Sequence, residues 1–151
     1  MTRKIFVGVF MMGLLVLLIC GLIFFGLQYA QTIDENQDAL RGEAYFAAAG
    51  LETGGVEYLK KLALPGGPSD RVTWIRADGG VLYDSNYPER SVNQLDRPEV
   101  RDALANGEGT GIRESASSGG SAIYFAVRCP DGTVLRLSRP VSVAAYAFSS
   151  V

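Results

Sequence analysis

Residues 5–27, IFVGVFMMGLLVLLICGLIFFGL, contain no charged side chain. As a helix rising 1.5 Å per residue this run is about 34 Å long, enough to cross a hydrocarbon core of about 30 Å. Such a run divides the chain, because everything after it must fold on one side of a bilayer. Arg3 and Lys4 precede it, and Gln28, Gln31, Asp34 and Glu35 follow. Basic residues are held on the cytoplasmic side, so the N-terminus is expected inside and residues 28–151 outside.

A cleavable signal peptide has a shorter apolar region followed by a small-x-small site. Here the nearest candidate, Gln28-Tyr29-Ala30, places Gln where a small residue belongs. A lipoprotein signal fails as well, since Cys20 follows Ile19 and the apolar run continues past it. The expectation is an uncleaved anchor.

The remaining part, about 124 residues, is the size of one ordinary domain. All 16 acidic residues and 12 of the 14 basic ones lie there, interspersed and without a basic run. Nucleic acid is therefore not an expected partner. The chain has no histidine and two cysteines, one of them in the apolar run. That composition leaves no His-based catalysis, no zinc site and no internal disulfide to expect. Cys129 reads as a small apolar residue on a strand. No catalytic residues, metal or cofactor are expected, and the chain is not expected to be an enzyme.

Small or apolar residues recur at Ala30, Ile33, Gln37, Leu40, Ala44, Ala47 and Leu51 in alternating steps of three and four. This is a heptad seam, so the membrane helix is expected to continue outward to about Ala49, with Gly50 as its stop. The seam either packs on the chain's own sheet or contacts a second copy in a homodimer. A second helix is expected from about residue 55 to 64, ended by Pro65-Gly66-Gly67-Pro68.

Strands are expected over 71–76 and 81–84, joined at Ala77-Asp78-Gly79-Gly80. Asp96-Arg97-Pro98-Glu99 is a helix start, with Asp96 as the cap and Glu99 reaching back to it. Three more strands are expected near 111–115, 122–129 and 134–139. In the fourth strand Ile123, Phe125 and Val127 share one face, opposite Tyr124 and Arg128. The order implies an α+β domain, a five-stranded antiparallel sheet with helices on one side. The divisions are residues 1–4 in the cytoplasm, 5–27 in the membrane, 28–140 outside, and 141–151 as the start of a further helix. Ligand contacts, for a small ligand the sequence does not name, fall to Arg97, Tyr83, Arg113 and Tyr124. Arg97 is the residue of its run that capping does not require.

Four runs, 71–75, 78–85, 93–100 and 132–138, resemble in order the extracytoplasmic part of PhoR-type sensor histidine kinases. Leu95-Asp96-Arg97-Pro98-Glu99-Val100 is the most specific of them. The resemblance implies a PAS-like sensor domain in the plasma (inner) membrane, coupled in cis to a kinase module beyond a second membrane helix. Gln94 stands where many such relatives carry histidine, and neither a second span nor a kinase motif lies within this sequence. The alternative is a pilin-like or other single-pass structural subunit, but no Gly-Phe-Thr-type cleavage site is present and the first acidic residue is Asp34. A small hydrolase lacks any triad.

Overall fold

The computed structural model describes residues 2–65, 67, 70–87, 92–114 and 120–141. The chain divides into two compact units, Met1–Glu35 and Asn36–Val151. The first is helical throughout its described residues, and its apolar side chains from Ile5 to Leu27 are exposed. By length and composition this helix is fit to cross a membrane. It belongs to α1, Thr2–Lys61.

The helix does not stop at Gly50 as the sequence implies. The break comes at Gly55 (φ 59°, ψ −156°), in a backbone region that essentially only glycine enters, and the last turns follow this kink. Gly50 serves packing instead. A Cβ there would run into the Tyr58 ring, which folds back over the helix after the kink.

In the second unit, β1 (Arg71–Ile75), β2 (Val81–Asp84), β3 (Glu108–Glu114), β4 (Ser121–Arg128) and β5 (Val134–Pro140) form one antiparallel sheet. Their order is β2-β1-β5-β4-β3. The β1–β2 turn closes through the Arg76 amide donating to the Gly80 carbonyl at 2.8 Å, with Gly79 at φ 86°. Gly79 also touches the chain entering α2. The Gln94 amide donates to its carbonyl at 2.8 Å, and a Cβ would strike Asn93 and the Leu95 amide.

The short helix α2, Pro98–Asn106, begins with proline in its first turn and ends at Gly107 (φ 97°), whose amide donates to the Ala103 carbonyl at 2.9 Å. This is the usual left-handed stop. Its N-cap is Arg97, with no side-chain cap bond. Asp96 is therefore not the cap, and Glu99 turns inward instead of back toward the helix start.

Helices cover both faces of the sheet, not one. The reason lies in β4, where residues 122–127 are all buried, so both of its faces need cover. One face carries Val72, Leu137, Ile123 and Phe125 against Leu40, Ala44, Ala47 and Leu51 of α1. There the Tyr45 ring lies 6.5 Å from that of Phe125. On the other face Ile75, Ala126 and Val134 pack under Val100, Ala103 and Leu104 of α2. Burying a leucine such as Leu40 stabilises by about 1.5–3 kcal/mol. From Leu40 onward the heptad stripe is thus the domain's own core. Ile33 and Gln37 are half-buried and Ala30 is exposed. The helix expected after residue 141 lies outside the described residues, as does the 117–119 part of the expected β3–β4 turn.

Candidate functional site

The α2 side of the sheet changes character along its strands. Alternation places Arg71 and Thr73 of β1, Asp84 of β2, Arg113 of β3, Tyr124 of β4 and Arg136 of β5 on that face, beyond the apolar patch under α2. Glu99, in the first turn of α2, is lowered among them. Close approach of α2 to β3 depends on glycine. At Gly109 a Cβ would collide with the Glu99 carbonyl, and at Gly111 it would press on Glu99 Oε2 at 3.3 Å.

Glu99 is completely buried and holds two arginines. Arg113 grips it with both ends of its fork, Nη1 to Oε2 at 2.6 Å and Nη2 to Oε1 at 2.8 Å. Arg136 Nη1 donates to Glu99 Oε1 at 3.2 Å and to Gln94 Oε1 at 3.1 Å. A chain of bonds continues sideways. Arg136 Nη2 donates to Thr73 Oγ1 at 3.4 Å, and the Thr73 hydroxyl donates to Asp84 Oδ2 at 3.2 Å. Arg71 closes on Asp84 from the far side, Nε to Oδ1 at 2.9 Å, and Asp84 Oδ1 also accepts the Asn86 and Tyr87 amides. The Tyr124 ring lies under two of the guanidiniums, 3.7 Å from Arg113 and 5.6 Å from Arg136.

Charges this deep are costly unless they are paired and hydrogen-bonded. Among the described residues no buried side-chain polar atom lacks a partner. Burial pushes the Glu99 carboxyl upward, but the Arg113 bond and the charges of Arg113 and Arg136 outweigh it and hold the carboxyl below the usual range. Burial lowers Arg136 to about 10, with Glu99 opposing the fall and Arg71 and Arg113 adding to it. It remains charged at neutral pH. Among the described residues no three Cys, Asp or Glu side chains converge as a metal site. Facing guanidiniums suit an anion, not a cation.

The opposite face carries a second ionic junction. Arg139, near the end of β5, donates through Nε to Asp70 Oδ1 at 2.9 Å and through Nη2 to Glu43 Oε2 at 2.9 Å. Its bond to Asp70 raises its pKa first, against burial, and Glu43 adds to the rise. Arg41 and Tyr45 meet Glu108 of β3 at 3.1 and 2.8 Å. These contacts tie the helix to the central strand β5 and to the edge strand β3.

Of the four contacts expected from sequence, Arg113 and Tyr124 meet at this site. Arg97 sits at the N-cap position of α2 without a side-chain cap bond, and Tyr83 pairs with Trp74 on the other face. Arg136, Glu99, Thr73, Asp84 and Gln94 are not legible as site residues in the sequence. The usable signal was Arg136 within the apolar run Val134–Leu137, where a charged residue needs a buried partner.

No family profile and no curated protein sequence matches this chain. Solved structures do resemble it. A methyl-accepting chemotaxis protein from Vibrio parahaemolyticus aligns with a TM-score of 0.57 at 12% identity, over 74% of this chain and 93% of that one. The periplasmic sensor domain of a chemotaxis protein aligns at 0.51 and 16%, over 74% and 94%. The extracellular domain of a protein designated histidine kinase rpHK1S-Z16 aligns at 0.47 and 16%, over 71% of this chain, which spans 39% of that domain. The chain thus shares the α+β fold of the two chemotaxis-protein structures, one of them a periplasmic sensor domain.

Proposed function

We propose that this chain is the membrane-anchored, extracytoplasmic signal-sensing domain of a PhoR-type two-component sensor histidine kinase. The domain itself performs no chemistry, and its N-terminus lies in the cytoplasm. One observation carries this reading. A single strand, β5, presents Arg136 to a buried polar site on one face and Arg139 to the α1 helix on the other. A change at the polar site can thereby bias the packing of a helix that belongs to the same element as the apolar run.

The PhoR-type assignment rests on the resemblance of residues 93–100, and the sensing role on the shared fold. A pilin-like subunit would account for a helix on one sheet face but not for the arginine-lined face beneath α2. The receptor works as a homodimer, with helix contacts at Ala30, Ile33 and Gln37, because Leu40, Ala44, Ala47 and Leu51 are engaged by the sheet.

Reporter fusions test the topology on which this depends. Alkaline phosphatase joined after residue 61 is expected to be active, and a fluorescent protein at the N-terminus is expected to mature inside the cell. The reverse pattern refutes the assignment. Joined to a histidine-kinase module through its second span, the chain is further expected to change basal output when Arg139 becomes Ala.

A further inference from the structure

We infer that the open edge of β3 is a docking site for an extended segment of a partner protein. The segment adds an antiparallel strand to the sheet, with a lysine or arginine beside Asp102 and an apolar residue beside Ile112. This goes beyond the sensing reading and does not rest on it.

The backbone of β3 supports it first. β3 is the end strand of the sheet, and β4 is its one neighbour. The Arg128 amide donates to the Gly107 carbonyl at 2.8 Å, one step before Glu108 meets Val127. Opposed pairs in an antiparallel ladder alternate between bonded and non-bonded. Gly109, Gly111 and Arg113 therefore turn their peptide groups toward β4, and Glu108, Thr110, Ile112 and Glu114 turn theirs to the open edge. Among the described residues nothing pairs with that edge. Edges are protected by short length and by bulges. β2, the other edge, has both, with four residues and a register shift against β1. β3 has neither, since its register with β4 is unbroken over seven residues. Thr110 is exposed, and Ile112 is 47% exposed.

A cleft of about 250 Å³ at this edge selects the occupant. It is lined by Asp102 and Asn106 of α2 on one face of the sheet and by Thr110 and Phe125 on the other, so it wraps around β3. A Cβ on Gly109 would lie 2.8 Å from that of Asp102, which sets this carboxylate beside the strand. Asp102 is exposed and forms no ion pair among the described residues. The other acid of the cleft, Glu108, is held by Arg41 and Tyr45. A lysine or arginine level with Gly109 supplies the counter-charge that Asp102 lacks. Ile112 lies three residues on and on the opposite face, so the partner's apolar residue stands three positions from its cation. A second copy of this chain fits less well. Pairing two β3 strands along their whole length about a twofold axis sets Glu108 opposite Glu114 at both ends, and directly opposed like charges are destabilising.

The test is fluorescence anisotropy of a fluorescein-labelled peptide, Thr-Ile-Thr-Thr-Lys-Thr-Thr, titrated with the full chain in detergent micelles against a blank of empty micelles. The peptide is expected to bind saturably, and about fivefold more tightly than the same peptide with glutamate in place of lysine. Asp102→Lys is expected to reverse that preference. Ile112→Pro removes an outward amide that the β4 ladder does not use, a place where edge strands tolerate proline. It is expected to weaken binding about fivefold or more. If that variant does not fold, Asp102→Lys decides alone. The inference is overturned if wild type binds neither peptide by millimolar concentration or does not prefer lysine. It is equally overturned if Asp102→Lys keeps the lysine preference, or if folded Ile112→Pro binds as wild type does. Self-association of the chain that Ile112→Pro abolishes would assign the edge to a second copy and overturn it as well. Reversed reporter fusions with peptide binding intact sink the sensing reading alone.

Discussion

Arg136 and Arg139 stand three residues apart on β5 and bond on opposite sides of the sheet, Arg136 to Glu99 under α2 and Arg139 to Glu43 on α1. An odd spacing on a strand reverses the side-chain direction. One strand therefore connects the buried polar site to the helix that the sheet packs against.

Glu99→Ala should be the most damaging single substitution in the domain. It strips two buried or half-buried arginines of their shared counter-charge, an effect of about 3–5 kcal/mol. Urea unfolding measures it. A loss below about 1 kcal/mol would mean that the cluster is not formed in solution.

The same carboxyl sets an acid limit. The Glu99 pKa is depressed in the folded state, so its contribution is complete above the unfolded value, about 4.3, and is lost as pH falls through the folded value. Stability followed between pH 7 and pH 3 should therefore fall below about pH 4.5, and less steeply in Glu99→Gln. Equal slopes in the two proteins would show that other carboxylates dominate.

Gly55→Ala and Gly42→Ala should differ in sign. The first forces a Cβ into a conformation reserved for glycine and should cost roughly 1–3 kcal/mol. At Gly42 a Cβ meets nothing within 4 Å in a regular exposed helix, so alanine should stabilise by about 0.5–1 kcal/mol. A paired thermal melt separates them.

Asp96→Ala should change stability by less than about 0.5 kcal/mol, since the side chain is exposed and makes no cap bond. A working cap would cost about 1 kcal/mol, and a loss of that size would return the helix start to Asp96.

Leu40→Ala should destabilise the domain by about 2–5 kcal/mol because Leu40 is fully buried against the sheet. Single cysteines at Ala30 or Ile33, in a Cys129→Ser background, should crosslink two copies in membranes, and cysteines at Leu40, Ala44 or Ala47 should not. Crosslinks peaking at Leu40 would give the stripe to the dimer.

The apolar run, the five strands and the α2 helix are set by the sequence itself, because each depends on near neighbours. Absence of charge over residues 5–27, period-two patterning in the strands, and proline and glycine at the ends of α2 are local quantities. What the residues do to each other across the chain was not local. Glu99 and Arg136 lie 37 residues apart and meet only because β5 lies beside β4 and α2 rests on that face. Read alone, Glu99 fits a capping box equally well, since the same side chain can turn back to the helix start or down into the sheet. The 3-4 stripe from Ala30 to Leu51 has the same ambiguity. Its spacing requires an apolar surface to meet it, and only the assembled sheet shows that for Leu40 and beyond this surface belongs to the same chain.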